Sequence, residues 1–180
     1  VVFINESNDP ITLSLKNQFP NIDFIRISNQ TLFGGLTATW NAGIDLCFKK
    51  NKDIIILSND DILFGYSIKN IIYETYNSIL RKQLVYFGPI TNNPGPTKNN
   101  KIQYGEEPIN KSPFLCKNNN SFINLNGFFM VFSKACLIKN KFNTQFYFDP
   151  RLPFGGNETE WFNRFMSIGG KPVIVPRTFI

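Results

Sequence analysis

The 180-residue sequence contains no histidine and only three cysteines, Cys47, Cys116 and Cys136, which stand far apart with no Cys-x-x-Cys pair. Without the commonest zinc ligand and catalytic base, a zinc site and a Ser-His or Cys-His nucleophile are argued against, and the cysteine spacing offers no disulfide framework. Three reduced, mostly buried thiols suit a reducing compartment, so a soluble, cytoplasmic domain is expected. Long apolar runs are missing too: no uncharged stretch approaches the ~20 residues that span a bilayer, and no signal peptide is expected from the opening residues. The first residue is Val1, not Met, which suggests a processed form or a piece of something longer. Charged residues are sparse at 18%, and 12 glycines and 11 prolines are too few for a low-complexity linker. With 42% hydrophobic residues the chain can bury one substantial core, so a single domain over residues 1–180 is expected.

Nineteen Lys and Arg against 13 Asp and Glu give a net charge of +6, which suits an anionic ligand. The basic residues are scattered in small groups, such as Lys49, Lys50 and Lys52, instead of being concentrated on one helix or face. No nucleic-acid partner is therefore expected.

Short apolar runs and helical stripes alternate along the chain. Val1 to Ile4 reads as a buried strand, and Asp9-Pro10 offers an N-cap and a first-turn proline for a helix over roughly 10–18. Asn21 to Ser28 alternates like a strand with one covered face and leads to Gly34-Gly35. Leu36, Trp40, Ile44 and Phe48 recur every fourth position and make one face of a helix that closes on Lys49 and Lys50. Asp53 to Leu57 reads as a central strand, Ser67 to Lys82 as a second long helix, and Leu84 to Phe87 as another strand. This alternation predicts an α/β fold whose sheet is mostly parallel and covered by helices, with mixed strands toward the C-terminus. Residues 91–121 are rich in Asn, Pro and Gly and read as a loop-rich insertion of the binding or lid kind. Beyond it, Phe128 to Phe132 reads as a strand, Asn157 to Ile168 as a helix, and Pro172 to Val175 as a last strand.

In an open parallel sheet, ligands bind beyond the carboxyl ends of the strands. Those positions here are Asn5-Glu6, Gly34-Gly35, Asn59-Asp60-Asp61 and, before the late helix, Gly155-Gly156-Asn157-Glu158. Adjacent carboxylates leaving a buried strand are costly unless neutralised, and their hard oxygens suit Mg²⁺ or Mn²⁺ bridging to a diphosphate, with Asp61 as the ligand. A turn in which Asn59 and Asp60 satisfy local backbone donors fits the same residues.

Four segments, in order, resemble the glycosyltransferases of the GT-A fold, closest to the family 2 inverting enzymes. Val1 to Asp9, VVFINESND, resembles that family's strand ending in a carboxylate-bearing nucleoside cradle. Gly35 to Gly43, GLTATWNAG, resembles its GxxxxxNxG helix start, and Ile54 to Asp61, IIILSNDD, resembles the strand that ends in its DxD metal motif. Phe154 to Arg164 followed by Gly169-Gly170 resembles its late GxED…R…G segment. The resemblance implies catalysis by Glu158 as base and a divalent ion, Mn²⁺ or Mg²⁺, held at Asp61. It also implies a nucleotide-sugar cradle drawn from Asn5, Glu6, Gly35, Asn41, Asn59, Asp60 and Arg164. The partners implied are a nucleoside-diphosphate sugar, with UDP favoured, and a carbohydrate or other hydroxyl acceptor, as in glycan biosynthesis.

The sequence departs from the family in lacking the strand that normally precedes the first segment, in carrying Asn5 in place of an acidic residue, and in having no terminal histidine for the metal site. A domain that binds nucleotide sugar or glycan without turnover is therefore the alternative. A sugar nucleotidyltransferase would need a Gly-rich, basic loop after its first strand, and none is present. Glu160 competes with Glu158 as the base, although its spacing also suits an i,i+4 ion pair with Arg164. Arg164 fits either that pair or a leaving-group contact, and Asn41 either a group near the nucleotide or a loop-fixing bond. Of Trp161 and Phe162, one should face the core and one could stack a sugar. Asn126-Gly127 would permit close backbone approach at the acceptor side.

Overall fold

The computed structural model describes residues 2–4, 10–21, 23–25, 35–59, 62–65, 67–92, 103–105 and 111–179. Two short parallel strands, β1 (Val2–Ile4) and β2 (Asp23–Ile25), flank helix α1 (Pro10–Gln18). Helix α2 (Gly35–Lys49) leads to β3 (Ile54–Ser58), then α3 (Ile68–Leu80) and β4 (Val85–Ile90). The short strands β5 (Phe114–Leu115), β6 (Lys117–Asn118) and β7 (Ser121–Phe122) follow. The chain ends with β8 (Phe129–Ser133), α4 (Lys134–Lys139), α5 (Asn157–Ser167) and β9 (Lys171–Phe179).

The central sheet has the order β3-β8-β4-β9-β5. Within it only β4 and β9 pair in parallel; β8 is antiparallel to both β3 and β4, and β5 is antiparallel to β9. The class is α/β, but the sheet is mixed instead of mostly parallel. The physical reason is that β8 returns through the middle of the sheet, separating β3 from β4 with a strand of opposite direction. Because β3 and β4 both oppose β8, they share one direction, and β9 shares it too. The carboxyl ends of β3, β4 and β9 consequently lie at one end of the sheet.

Alternation along the strands builds two cores. Ile55, Leu57, Tyr86, Met130 and Phe132 face one side and pack with Trp40 and Ile44 of α2 and with Trp161 and Phe165 of α5. Val85, Phe87, Phe129, Val131 and Val173 face the other side and pack with Ile71 of α3. Burial on both faces explains why β4 and β8 read as continuous apolar runs. β3, read from the sequence as a central strand, instead stands at one end of this sheet among the described residues, with Ile55 and Leu57 buried and Ile56 38% exposed. The first core is aromatic: Phe132 and Trp161 meet edge to face at 4.8 Å, and Tyr86 meets Trp161 at 5.2 Å. Each such pair contributes about 0.5–1.5 kcal/mol beyond the area it buries. Trp161 is fully buried here and Phe162 nearly so, at 8% exposure, so neither presents a ring to a sugar. Among the described residues, no helix is long and apolar enough to cross a membrane.

Candidate active site

Three segments meet at the carboxyl end of β3. The Asn59 amide donates to the Phe128 carbonyl at 2.8 Å, tying the exit of β3 to the turn that enters β8. The next residue back, Gly127, lies against α5: a methyl group built on it would sit 3.2 Å from Glu158 Cδ and 3.3 Å from Oε1. Any side chain at Gly127 would therefore press on the carboxylate. Glu158 stands in the first turn of α5, where the free N–H groups and the macrodipole favour a negative charge.

The start of α2 is fastened to the same corner. Gly35 has φ +77°, a left-handed conformation that side chains rarely adopt, and a Cβ there would come within 2.8 Å of the Pro153 carbonyl and 2.7 Å of the Phe154 ring. Only glycine permits this approach. Thr37, two residues on, donates through its hydroxyl to the Leu152 carbonyl and through its amide to Pro153 at 3.3 Å. Fully buried Asn157 closes the link, its Nδ2 donating to Thr37 Oγ1 at 2.9 Å and its Oδ1 accepting from the Glu158 amide at 3.0 Å. Sequence reasoning assigned Asn157 no role of its own; the only signal was an Asn directly after Gly155-Gly156 and before the candidate base.

The floor beneath Gly127 is a polar network from β4. Buried Tyr86 donates to Asn124 Oδ1 at 2.6 Å and accepts from the Leu125 amide at 3.1 Å. Burial pushes the Tyr86 phenol well above its ordinary pKa, so it stays a neutral donor. Gln103, also fully buried, donates to the Pro89 carbonyl at 3.1 Å and accepts from the Asn126 amide at 2.8 Å. Asn126 Nδ2 is itself buried and has no hydrogen-bond partner among the described residues, an expensive state for an amide.

The two acidic residues of the α5 motif differ. Glu160 pairs with Arg164, whose Nη2 donates to Glu160 Oε2 at 2.9 Å and whose Nε donates to Oε1. Arg164 also donates to the carbonyls of Tyr147, at 2.9 Å, and Asn140. Its guanidinium thus braces the 140–147 segment, about 9 Å along the helix from Glu158 at 1.5 Å per residue. Of the two roles open to it, the ion pair is the one observed. Glu158 has no hydrogen-bond or ion-pair partner for its carboxylate among the described residues.

Asn41, 5% exposed, fixes a segment far from its own loop: its Nδ2 donates to Phe148 O at 3.0 Å, and its Oδ1 accepts from the amides of Tyr147 at 2.9 Å and Phe148 at 3.0 Å. Both lone pairs and one N–H are in use. The structure brings together Gly35, Asn59 and Glu158 through the contacts above, and it sets Asn41 and Arg164 apart as braces. Asn5, Glu6, Asp60 and Asp61 lie outside the described residues. Among the described residues, no three Cys, Asp or Glu side chains come together as a metal ion would need. Glu158 and Asn59, and Asp60 and Asp61 that follow Asn59 in the sequence, carry hard oxygen donors, the kind that Mg²⁺ or Mn²⁺ prefers.

No family model matches the sequence, and no curated protein matches it either. Among solved structures, the crystal structure of GalNAc-T7 with UDP, GalNAc and Mn²⁺ superposes with a TM-score of 0.66 over 99% of this chain, at 13% identity. This chain spans 36% of that one. The likeness is one of architecture, and it supports a GT-A fold.

Proposed function

We propose that the domain is a metal-assisted glycosyltransferase, related to the family 2 inverting enzymes, that moves a sugar from a nucleoside-diphosphate sugar to a hydroxyl acceptor. One observation carries the reading: the Glu158 carboxylate, unpaired among the described residues, rests on Gly127 one residue from the carbonyl that receives the Asn59 amide, so the end of β3 and the first turn of α5 form one corner. The fold neighbour, crystallised with UDP, GalNAc and Mn²⁺, supports a UDP-sugar as donor.

Glu158 takes the proton of the acceptor hydroxyl as its oxygen attacks the anomeric carbon. The new C–O bond forms as the bond to the diphosphate breaks, and the nucleoside diphosphate leaves. General-base assistance of this kind supplies about 10²–10⁴ in rate. Asp61, with Asp60 and Asn59 beside it, would hold the ion, and Asn5, Glu6 and Gly35 would line the nucleotide. When bound, the ion neutralises the charge that develops on the departing diphosphate. Asn41 and Arg164 hold the scaffold, not the ligand.

A thermal-shift screen of nucleotide sugars with and without Mn²⁺ tests the donor assignment, because a ligand held only by the native state raises stability with its concentration. A metal-dependent shift with a UDP-sugar, followed by transfer with inverted anomeric configuration in proton NMR, is expected. A saturable shift without transfer or donor hydrolysis would assign a binding role instead; no shift with any nucleotide sugar would refute the proposal.

A further inference from the structure

Beyond Phe87 the ladder between β4 and β8 stops. The register pairs Tyr86 with Phe132 and Phe87 with Val131, and among the described residues no pair follows toward Gly127. On its other side β4 stays paired with β9 as far as Ile90. The two strands therefore part on the approach to the place where Gly127 meets Glu158.

One side chain spans the opening. Gln103 is fully buried; its Nε2 donates to the Pro89 carbonyl of β4 at 3.1 Å, and its Oε1 accepts from the Asn126 amide at 2.8 Å. A side-chain amide carries the donor and the acceptor of a peptide unit, so Gln103 stands in for the missing rung between the strands. Gly88 makes room for it: a Cβ there would lie 3.0 Å from Gln103 Nε2 and 3.1 Å from Leu125 Cδ1. The Gln103 backbone is fastened beside the end of β4, its carbonyl accepting from the Thr91 amide at 2.8 Å, and the Gly105 amide donates to the Thr91 carbonyl at 3.0 Å.

The segment that bears on Glu158 thus hangs from three points. The Leu125 amide donates to the Tyr86 hydroxyl at 3.1 Å, the Asn126 amide to Gln103, and the Phe128 carbonyl accepts from Asn59. Gly127 lies between the second and the third. Tyr86 also packs on Phe132 and Trp161 in the aromatic core, whereas the Gln103 amide joins β4 to this segment alone. We propose, resting on the reading of Glu158 as the base, that Gln103 is a positioning residue for the transfer reaction. It sets the Asn126–Gly127 backbone against Glu158 and so fixes where the carboxylate meets the acceptor hydroxyl.

The test is a set of variants assayed for transfer. Gln103→Met keeps the length and loses both bonds; kcat should fall about tenfold while the donor KM stays within about twofold. In a Glu158→Ala background the same change should cost nothing further. Gln103→Glu keeps the acceptor throughout and regains the donor when its carboxyl is protonated, the form that burial favours. Its kcat relative to the wild type should match at low pH and fall toward the Gln103→Met value as pH rises. Ser133→Ala, which removes the N-cap of α4 at the far end of β8, controls for stability: it should lower the urea midpoint and leave kcat unchanged. Unchanged kcat in Gln103→Met, a loss equalled by Ser133→Ala, a loss that multiplies with Glu158→Ala, or a flat pH ratio for Gln103→Glu would overturn the proposal. If Gln103→Met does not fold, the Gln103→Glu ratio decides alone. Wild-type protein without transfer, or Glu158→Ala with full turnover, refutes the glycosyltransferase reading and this proposal with it, before any Gln103 variant is made.

Discussion

Two glutamates share the first turn of α5 and do opposite things. Glu160 is matched: it pairs with Arg164, whose other guanidinium donors meet the Tyr147 and Asn140 carbonyls. Glu158, two residues away and resting against a glycine, has no such partner among the described residues. A matched polar group holds a scaffold together. An unmatched one, half-buried where it costs free energy, marks a place where the missing partner is a ligand.

The contrast is broken most severely at Glu158. Glu158→Ala is expected to lower kcat by about 10²–10⁴ while UDP binding and the unfolding midpoint stay unchanged, since no intramolecular bond is lost. Glu160→Ala should do the reverse, with turnover kept and stability reduced. Steady-state kinetics and urea titrations of both variants check the pair, and equal loss of turnover in the two would erase the distinction.

Asn41→Leu comes next. It strands the Phe148 carbonyl and the Tyr147 and Phe148 amides in a buried site, so a loss of about 3 kcal/mol is expected from denaturant unfolding. Gly127→Ala sharpens the comparison from the other side. Its methyl presses on the Glu158 carboxylate, and turnover should fall about tenfold with little change in stability, because small misplacements of a reacting group are costly.

Much of this arrangement was legible in the sequence. The apolar stripe Trp40 and Ile44, the strand Ile54 to Leu57 and the i,i+4 pair of Glu160 with Arg164 all follow from spacing, because local periodicity decides them. The direction of β8 was not legible. Antiparallel insertion between β3 and β4 depends on which strand edges are free when the chain closes, and no local pattern records that. β9 likewise runs on beyond Val175 to Phe179, and its pairing with β4 shifts register at Pro89/Ile90, which no local pattern records. The link from Asn157 to Thr37 spans 120 residues and has no sequence signature.

The smallest effect belongs to a matched pair near the surface. The Arg151 guanidinium beside Asp149 holds that carboxyl below the usual Asp range. A lowered native pKa means that the unfolded chain binds the proton first. The stabilisation is therefore present above the unfolded value of about 3.9 and is lost as pH falls through the native one. Arg151→Gln should flatten the acid limb of stability against pH between roughly 2 and 4 and leave neutral-pH turnover unchanged.

The proposal that an ion held at Asp61 sits beside the base Glu158 is tested most directly by paramagnetic broadening. In the ¹⁵N spectrum, Mn²⁺ added with UDP should selectively broaden the amides of Asn59, Gly127 and Glu158, spare those of Arg81 and Lys171, and lose this effect in Asp61→Ala. Broadening that misses Gly127 and Glu158, or survives the loss of Asp61, would contradict a shared metal-diphosphate corner.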